Sequence, residues 1–448
     1  MSGSTIAVAP VGASALLKQT IDSSPPRVVR ARGVFLYDAA GRDYLDGSGG
    51  AMTVSIGHGV PEVLAAMHLQ AQEVCFTFRT QFTSGAAEEL AELLAGVAPG
   101  DTGHVLFANS GSEATEMAMR TAVQYWRELG KPHKTHVLGR TTSYHGMTLG
   151  ALSMSGHAAR RKDYGDLLHA FNIGPTPVSW ERNDDAETLE VERPEDWLQV
   201  IEAHGAQKVA ALIVEPIIGA AGGVLVPAVG HLRELRRMCD RLDILLIADE
   251  IITGLGRTGS WFACDHDGVV PDMIAVGKGL TSGYTPMAAL LLHERIVASM
   301  RAGSGSAPFG HTFSGNPLSA ATSLAVLRYL QEHNLPDKAR ENAPRFEAGL
   351  KSLAARYPSM ANVRGRGMLW GFDLRHPGTG APPAADQPGT AAFVADCFAA
   401  GLVIYPAGIP PRNAAIVSPP LTITTAEIKE LFSRLETGLR RFTSRYRG

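Results

Sequence analysis

Apolar positions along the 448-residue chain fall into two rhythms. Between residues 34 and 46, VFLYDAAGRDYLD alternates apolar and polar positions around Ala-Ala-Gly, which predicts a β-hairpin. From about residue 85, short apolar runs alternate with helical patterns or glycine turns. HVLFA (104–108), THVLGR (135–140), VAALIVEP (209–216), ILLIAD (244–249), DMIAV (272–276) and MAALLL (287–292) are the strand candidates. Runs apolar on both faces suit buried strands, and their alternation with helices predicts a mostly parallel sheet covered on both sides. The polar stretch WERNDDAETLEVERPEDW (180–197) predicts a surface excursion before a helix at about 195–204. Beyond residue 330 a helical segment (338–356) precedes short strands within VRGRGMLWGFDL (363–374) and a Pro/Gly loop (376–389). The chain closes with LVIYP (402–406), AAIVSPPL (414–421) and an amphipathic helix. Its Ile428, Leu431, Phe432, Leu435, Leu439 and Phe442 recur at helical spacing as a core-facing stripe.

Length and composition narrow the class. A chain of 448 residues exceeds one hydrophobic core, so two or more domains are expected. No run approaches the length of apolar sequence that a membrane helix needs. AVAPVGASALL (7–17) has no basic segment before it, so it is not read as a signal peptide. A net charge of −3 without a basic stripe argues against nucleic acid and acidic membrane surfaces. Cys75, Cys239, Cys264 and Cys397 are scattered, so neither a disulfide framework nor a zinc site is expected, and the composition suits a reducing cytoplasm.

The chemistry gathers where apolar runs end. Asp249 closes ILLIAD, and Lys278 follows DMIAVG within GKGLTSGY. An acid and an amine at the ends of two strands of one sheet face a common crevice. There a carboxylate can keep the ring nitrogen of pyridoxal phosphate protonated, and a lysine can form a Schiff base with its aldehyde. Taken singly, Asp249 reads as a helix cap or one half of a buried ion pair, and Lys278 as a solvated loop amine. HVLFANSGSEATEMAMRTAVQYW (104–126) is strand, turn and helix. Asn109 or Ser110 can cap that helix, Gly111 admits close backbone approach, and Ser112 offers a hydroxyl, which together make a phosphate seat or an ordinary capped helix. Tyr144-His145-Gly146 can lay an aromatic ring on a flat ligand, or pack as a loop. Glu215 can orient the acid or a ring hydroxyl, or cap a helix. His311-Thr312-Phe313-Ser314-Gly315-Asn316-Pro317 is a polar loop with hydroxyls suited to phosphate. Asp265-His266-Asp267 resembles a metal cluster but has no further histidine at ligand spacing, so it reads as a solvated loop and no metal is expected. Gly254-Leu-Gly256-Arg-Thr-Gly259 fits the dinucleotide pattern GxGxxG, but no amphipathic helix follows and no acid closes a second strand. A nicotinamide-dependent dehydrogenase and a binding protein without cofactor are the different-class alternatives.

Assembled, these segments resemble the class III (ω-type) aminotransferases, pyridoxal-phosphate enzymes of the aspartate-aminotransferase fold (fold type I). SGSEATE (110–116), SYHG (143–146), EPIIGAAGG (215–223), ADEIITGLGRTG (248–259), GKGLTSGYTPM (277–287) and HTFSGNP (311–317) occur in family order, and the likeness runs from about residue 33 to 440. The resemblance implies an α/β fold with a large domain around a mostly parallel sheet and a small domain joining the chain ends. It divides the chain at 1–70, 71–330 and 331–448. Lys278 becomes the Schiff-base lysine and proton shuttle, Asp249 the partner of the ring nitrogen, and Glu215 its support. Tyr144 and Ile251 pack on the two ring faces, with His145 among the coenzyme contacts. Ser110, Gly111 and Ser112 hold phosphate, joined by Thr312 from the second subunit of a homodimer.

The implied activity is ping-pong transfer of an amino group from an amine or ω-amino acid to a keto acid, pyruvate or 2-oxoglutarate. An aminomutase or a decarboxylase of the same fold is the nearer alternative. Two departures bear on substrate. Where relatives that bind an α-carboxylate often carry arginine, this chain has Ile416 and Val417, leaving Arg412 as the nearest carboxylate-gripping candidate on a loop. Met52 stands where many relatives have tryptophan, which implies a more adaptable donor pocket.

Overall fold

The computed structural model describes residues 15–21, 23–169, 174–175, 192–410 and 412–446. The expected hairpin forms from β2 (Phe35–Asp38) and β3 (Asp43–Asp46), with Phe35 opposite Leu45, and β1 (Val28–Arg32) adds antiparallel to β2.

All six expected apolar runs enter one sheet. They are β4 (His104–Ala108), β5 (His136–Leu138), β6 (Val209–Val214), β7 (Leu245–Asp249), β8 (Met273–Val276) and β9 (Ala288–Leu292), in the spatial order β4-β9-β8-β7-β6-β5. Strands β5 to β8 are parallel, while β9 runs antiparallel to both neighbours, so β4 points the same way as β8. Alternate side chains explain the uninterrupted apolar runs. Ile213, Ile247 and Met273 pack in one buried cluster with Ala114, Met117, Ala118 and Ala122 of helix Gly111–Glu128. Leu212, Leu246 and Ile274 belong to the larger core on the opposite face. Two buried faces leave no position for a polar residue until a strand ends.

The C-terminal part supplies helix Leu335–Arg356, then β10 (Met360–Arg366), β11 (Leu369–Leu374), β12 (Leu402–Val403), β13 (Tyr405–Ala407) and β14 (Ala414–Val417). The LVIYP run serves two sheets: β12 joins β3 in parallel, while β13 pairs with β14. The closing helix, Thr425–Ser444, buries Ile428, Leu431, Leu435, Leu439 and Phe442 as its spacing predicts, with Phe432 half-buried against the same core.

Two expectations need correction. The polar excursion 180–197 does not stay at the surface at its end: Glu192 and Trp197 are buried, and the helix begins at Pro194. Residues 180–191 lie outside the described residues. Asp267, read as part of a solvated loop, is buried and accepts hydrogen bonds from the amides of Gly230 (2.8 Å) and Leu232 (2.9 Å). It therefore satisfies the otherwise unpaired N-terminal amides of helix His231–Arg241. Among the described residues, no helix is long and apolar enough to cross a membrane.

Candidate active site

The carboxyl ends of β4 to β8 share one edge of the sheet, and the polar residues that follow them converge there. Asp249 is the last residue of β7. Lys278 lies just beyond β8, and Glu215 just beyond β6. Gly111, Ser112, Tyr144, Glu215, Asp249, Ile251 and Lys278 line one cavity of about 150 Å3, together with His145, Gly146, Ile217, Ile252 and Thr253. Residues from five separate stretches of sequence thus meet in one place.

Lys278 opens a short helical turn with φ +42°, a left-handed conformation that a side chain of this kind adopts only when its surroundings hold it. Burial draws its amine down from 10.5 to about 8, against the opposing pull of Asp249 and Glu215. Asp249 is almost fully buried. Its Oδ2 lies 2.7 Å from Nδ1 of buried His145, and its Oδ1 accepts from the Ile251 amide at 3.1 Å. Both carboxylate oxygens are therefore oriented by neighbours. Glu215 accepts from the Tyr144 amide (3.1 Å) through Oε1 and from the Gly219 amide (2.9 Å) through Oε2, tying two loops of the cavity wall together. Burial pushes its carboxyl above the ordinary range, and the nearby Asp249 charge adds to this against the His145 side.

Local packing explains the glycines. A Cβ on Gly146, whose φ is +137°, would lie 2.5 Å from Ser112 Oγ and 2.7 Å from Ser112 Cα. That approach lets the Met147 amide donate to Ser112 Oγ at 3.0 Å. Ile251 packs closely on Gly111, where an added Cβ would lie 3.1 Å from its Cδ1.

The remaining expected residues are placed differently. Ser110 is exposed, and its hydroxyl accepts from the Glu113 amide at 3.2 Å as the cap of helix Gly111–Glu128. Thr312 is exposed and does not line the cavity of its own chain. Met52 is buried with φ +58°, in an apolar cluster that includes the cavity residues Ile217 and Ile252. Arg412 is buried, not solvated on a loop: its Nη1 donates to the Gly222 carbonyl at 3.1 Å, and its Nε lies 3.7 Å from Asp373 Oδ1.

Two arginines near the site escaped the sequence reading. Arg140 is fully buried; its Nη1 donates to the Glu215 carbonyl at 2.7 Å and its Nε to Glu192 Oε1 at 2.5 Å. Arg160 places its guanidinium carbon 4.4 Å from the centre of the Tyr144 ring. Arg160 follows no strand and belongs to no motif, whereas Arg140 closes the run THVLGR two residues after β5, the same strand-end signal that marks Lys278 after β8.

Pyridoxal phosphate can be tested against this donor set. The cavity offers an amine for its aldehyde, a carboxylate for its ring nitrogen, and an aromatic and an aliphatic side chain as walls. Gly111 and Ser112 begin a helix, where backbone amides and dipole favour a phosphate. The residues fit.

Residues 19–439 match the family Aminotransferase class-III. The chain belongs to the class III aminotransferases. It is 40% identical over 428 residues to the uncharacterized aminotransferase YodT of Bacillus subtilis (strain 168), covering 94% of this chain and 96% of that one. It is also 34% identical to putrescine–pyruvate aminotransferase of Pseudomonas aeruginosa, over 93% of this chain and 91% of that protein. An amine transaminase from an uncultivated Pseudomonas species, in its PLP-bound form, superposes with a TM-score of 0.85 at 32% identity. That likeness covers 98% of this chain and 99% of its counterpart. The enzyme is a transaminase of fold type I, and its coenzyme is pyridoxal phosphate. The dinucleotide reading of 254–259 falls with this assignment; that segment is a series of turns ahead of the short helical turn Ala263–Asp267.

Proposed function

We propose that this aminotransferase moves an amino group from an amine or ω-amino acid to a keto acid, pyruvate or 2-oxoglutarate, in two half-reactions of a ping-pong cycle. The observation that carries the reading is the shared cavity of Lys278 and Asp249, with the amine brought to about 8 by burial. Pyruvate as acceptor draws support from the putrescine–pyruvate relative and from a β-alanine–pyruvate aminotransferase of the same organism, 36% identical over 75% of this chain.

When bound, pyridoxal phosphate supplies the sink for the electron pair left when a proton leaves the amine-bearing carbon. Lys278 Nζ, part neutral near pH 8, is the nucleophile that takes up the coenzyme and the base that carries the proton. The Asp249 carboxylate, oriented by His145 and the Ile251 amide, holds a proton at the ring nitrogen. Glu215 supports that side of the site by fixing the Tyr144 and Gly219 loops. Tyr144 and Ile251 wall the ring. Gly111 and Ser112, with Ser110 capping their helix, hold phosphate. Thr312 completes the seat from a second subunit. Met52 backs the donor pocket through Ile217 and Ile252. Arg412 reaches a substrate carboxylate only by leaving Asp373 and the Gly222 carbonyl.

The homodimer, the cytoplasmic setting and the division at 1–70, 71–330 and 331–448 belong to the same reading. Pairing of β12 with β3 across the chain ends supports the division, and four unpaired cysteines agree with a reducing compartment. A panel of amines and ω-amino acids against pyruvate and 2-oxoglutarate tests the reading. Amino transfer to at least one keto acid is expected. Release of carbon dioxide or an internal amino shift in its place would point to the decarboxylase or the aminomutase.

A further inference from the structure

The charges around the cavity are unevenly matched. Arg364 and Arg412 both lie against Asp373, at 2.9 Å and 3.7 Å, and Asp249 is engaged with His145. Arg161 donates through Nη1 to the carbonyls of Leu152, Ser153 and Ser155, which anchors the short helix Ala158–Arg161. Its neighbour Arg160 is held on that anchor differently. Among the described residues its guanidinium makes no hydrogen bond or ion pair, only the face contact with Tyr144. A half-buried guanidinium beside an aromatic ring has shed part of its hydration without gaining an anion. Arg160 is also close enough for its charge to help lower the Lys278 amine. The ring it touches lines the cavity.

We propose that Arg160 is the specificity-determining cation of this site, receiving the carboxylate of an acid-bearing substrate at the Tyr144 wall of the cavity. This rests on the functional reading above and names what distinguishes its substrates. A planar guanidinium takes a carboxylate through two parallel hydrogen bonds, and here it would do so without first breaking an ion pair to any of the described residues. Arg412 would have to break one. An uncharged amine or aldehyde can rest its apolar part against Tyr144, Ile217 and Ile252 without engaging Arg160, so both substrate types can enter one pocket.

The test uses the holoenzyme with pyruvate and propanal, small acceptors with and without a carboxylate, and one amine donor accepted by the wild type. In Arg160→Gln the ratio of kcat/KM for pyruvate to that for propanal should fall by about 10- to 100-fold, the worth of a hydrogen-bonded charge pair. The change should lie in the KM for pyruvate. Arg160→Lys, which keeps the charge without the fork, should recover part of the ratio. Loss of the Tyr144 contact alone lowers both acceptors together and leaves the ratio unmoved; that result overturns the proposal. Weaker retention of pyridoxal phosphate with an unchanged ratio also overturns it, by assigning Arg160 to the coenzyme phosphate. A wild type that aminates neither acceptor nor 2-oxoglutarate defeats the functional reading itself, whatever Arg160 does.

Discussion

In the proposed cycle Lys278 has two jobs for one nitrogen, and both need it unprotonated. Burial disfavours the ammonium, while Asp249 and Glu215 favour it; burial prevails and the amine falls from 10.5 to about 8. The neutral fraction therefore grows as pH rises through about 8, two units or more before a solvated lysine would respond. Covalent uptake of pyridoxal phosphate by the apoprotein, followed by absorbance, should accelerate through that pH and level off above it. A midpoint near 10 would show an amine in water. Lys278→Ala should still bind the coenzyme non-covalently but lose transamination by several orders of magnitude, since nucleophile and proton carrier disappear together. Turnover within about tenfold of wild type would remove Lys278 from the chemistry. Asp249→Asn separates the partner role from the nucleophile. Its amide can still meet His145 and the Ile251 amide, so the fold and coenzyme binding should persist while activity falls sharply. Normal turnover in that variant would reduce Asp249 to a structural cap.

The turn Gly219–Val224, joined to the cavity through the Gly219 amide on Glu215, shows how elements far apart in sequence support the site. Arg364 Nη2 and Arg412 Nη1 both donate to the Gly222 carbonyl, and Arg364 Nε donates to Val224 O. Asp373 on β11 sits between the two guanidinium groups and also accepts from Asn362. Burial alone would raise the Asp373 carboxyl, but Arg364 and Arg412 outweigh it and hold it below its ordinary 3.8. Asp373→Ala removes the carboxylate from between two buried cations and should cost about 3–5 kcal/mol, read from denaturant unfolding at neutral pH. A depressed carboxyl contributes stability that is full above its unfolded pKa and lost as pH falls through the folded one. The gap between wild type and Asp373→Ala should therefore close only below about pH 4. An equal gap at all pH values would mean that packing, not charge, holds the turn. This clamp also marks the limit of reading the sequence. The six sheet strands were legible because burial on both faces forces uninterrupted apolar runs, and Asp249 and Lys278 because polar residues resume where those runs end. Arg140 with Glu192, Arg364 and Arg412 with Asp373, and Arg160 with Tyr144 are tertiary meetings that leave no periodicity behind. Arg412 looked like a loop residue because its neighbours Gly408, Pro410 and Pro411 are loop residues; its counter-ion lies on another strand.

At the scale of the whole molecule, the surface around Thr312 is the feature that a single chain leaves unexplained. Phe76, Phe78, Phe82, Phe309 and Phe313 are all exposed, with Phe76 and Phe313 in edge contact at 6.1 Å. Single exposed apolar residues are ordinary, but aromatic rings gathered from two segments of the chain form a patch of the kind that marks an interaction site. Thr312 is exposed, precedes Phe313 in the chain and lies outside its own chain's cavity. Both facts are met if a second copy covers the aromatic surface and receives Thr312 at its phosphate seat, as the proposed dimer requires. Sequestering the patch is then the driving force for assembly, and completing the site is its functional consequence. Phe313→Asp places a charge among rings that must lose water on association, so it should shift sedimentation toward monomer. Activity per chain should fall with the dimer fraction and recover at higher protein concentration. Thr312→Ala should leave the dimer intact and weaken only the hold on pyridoxal phosphate. A Phe313→Asp monomer with full activity would refute the shared site, because each chain would then complete its own phosphate seat without Thr312 of another.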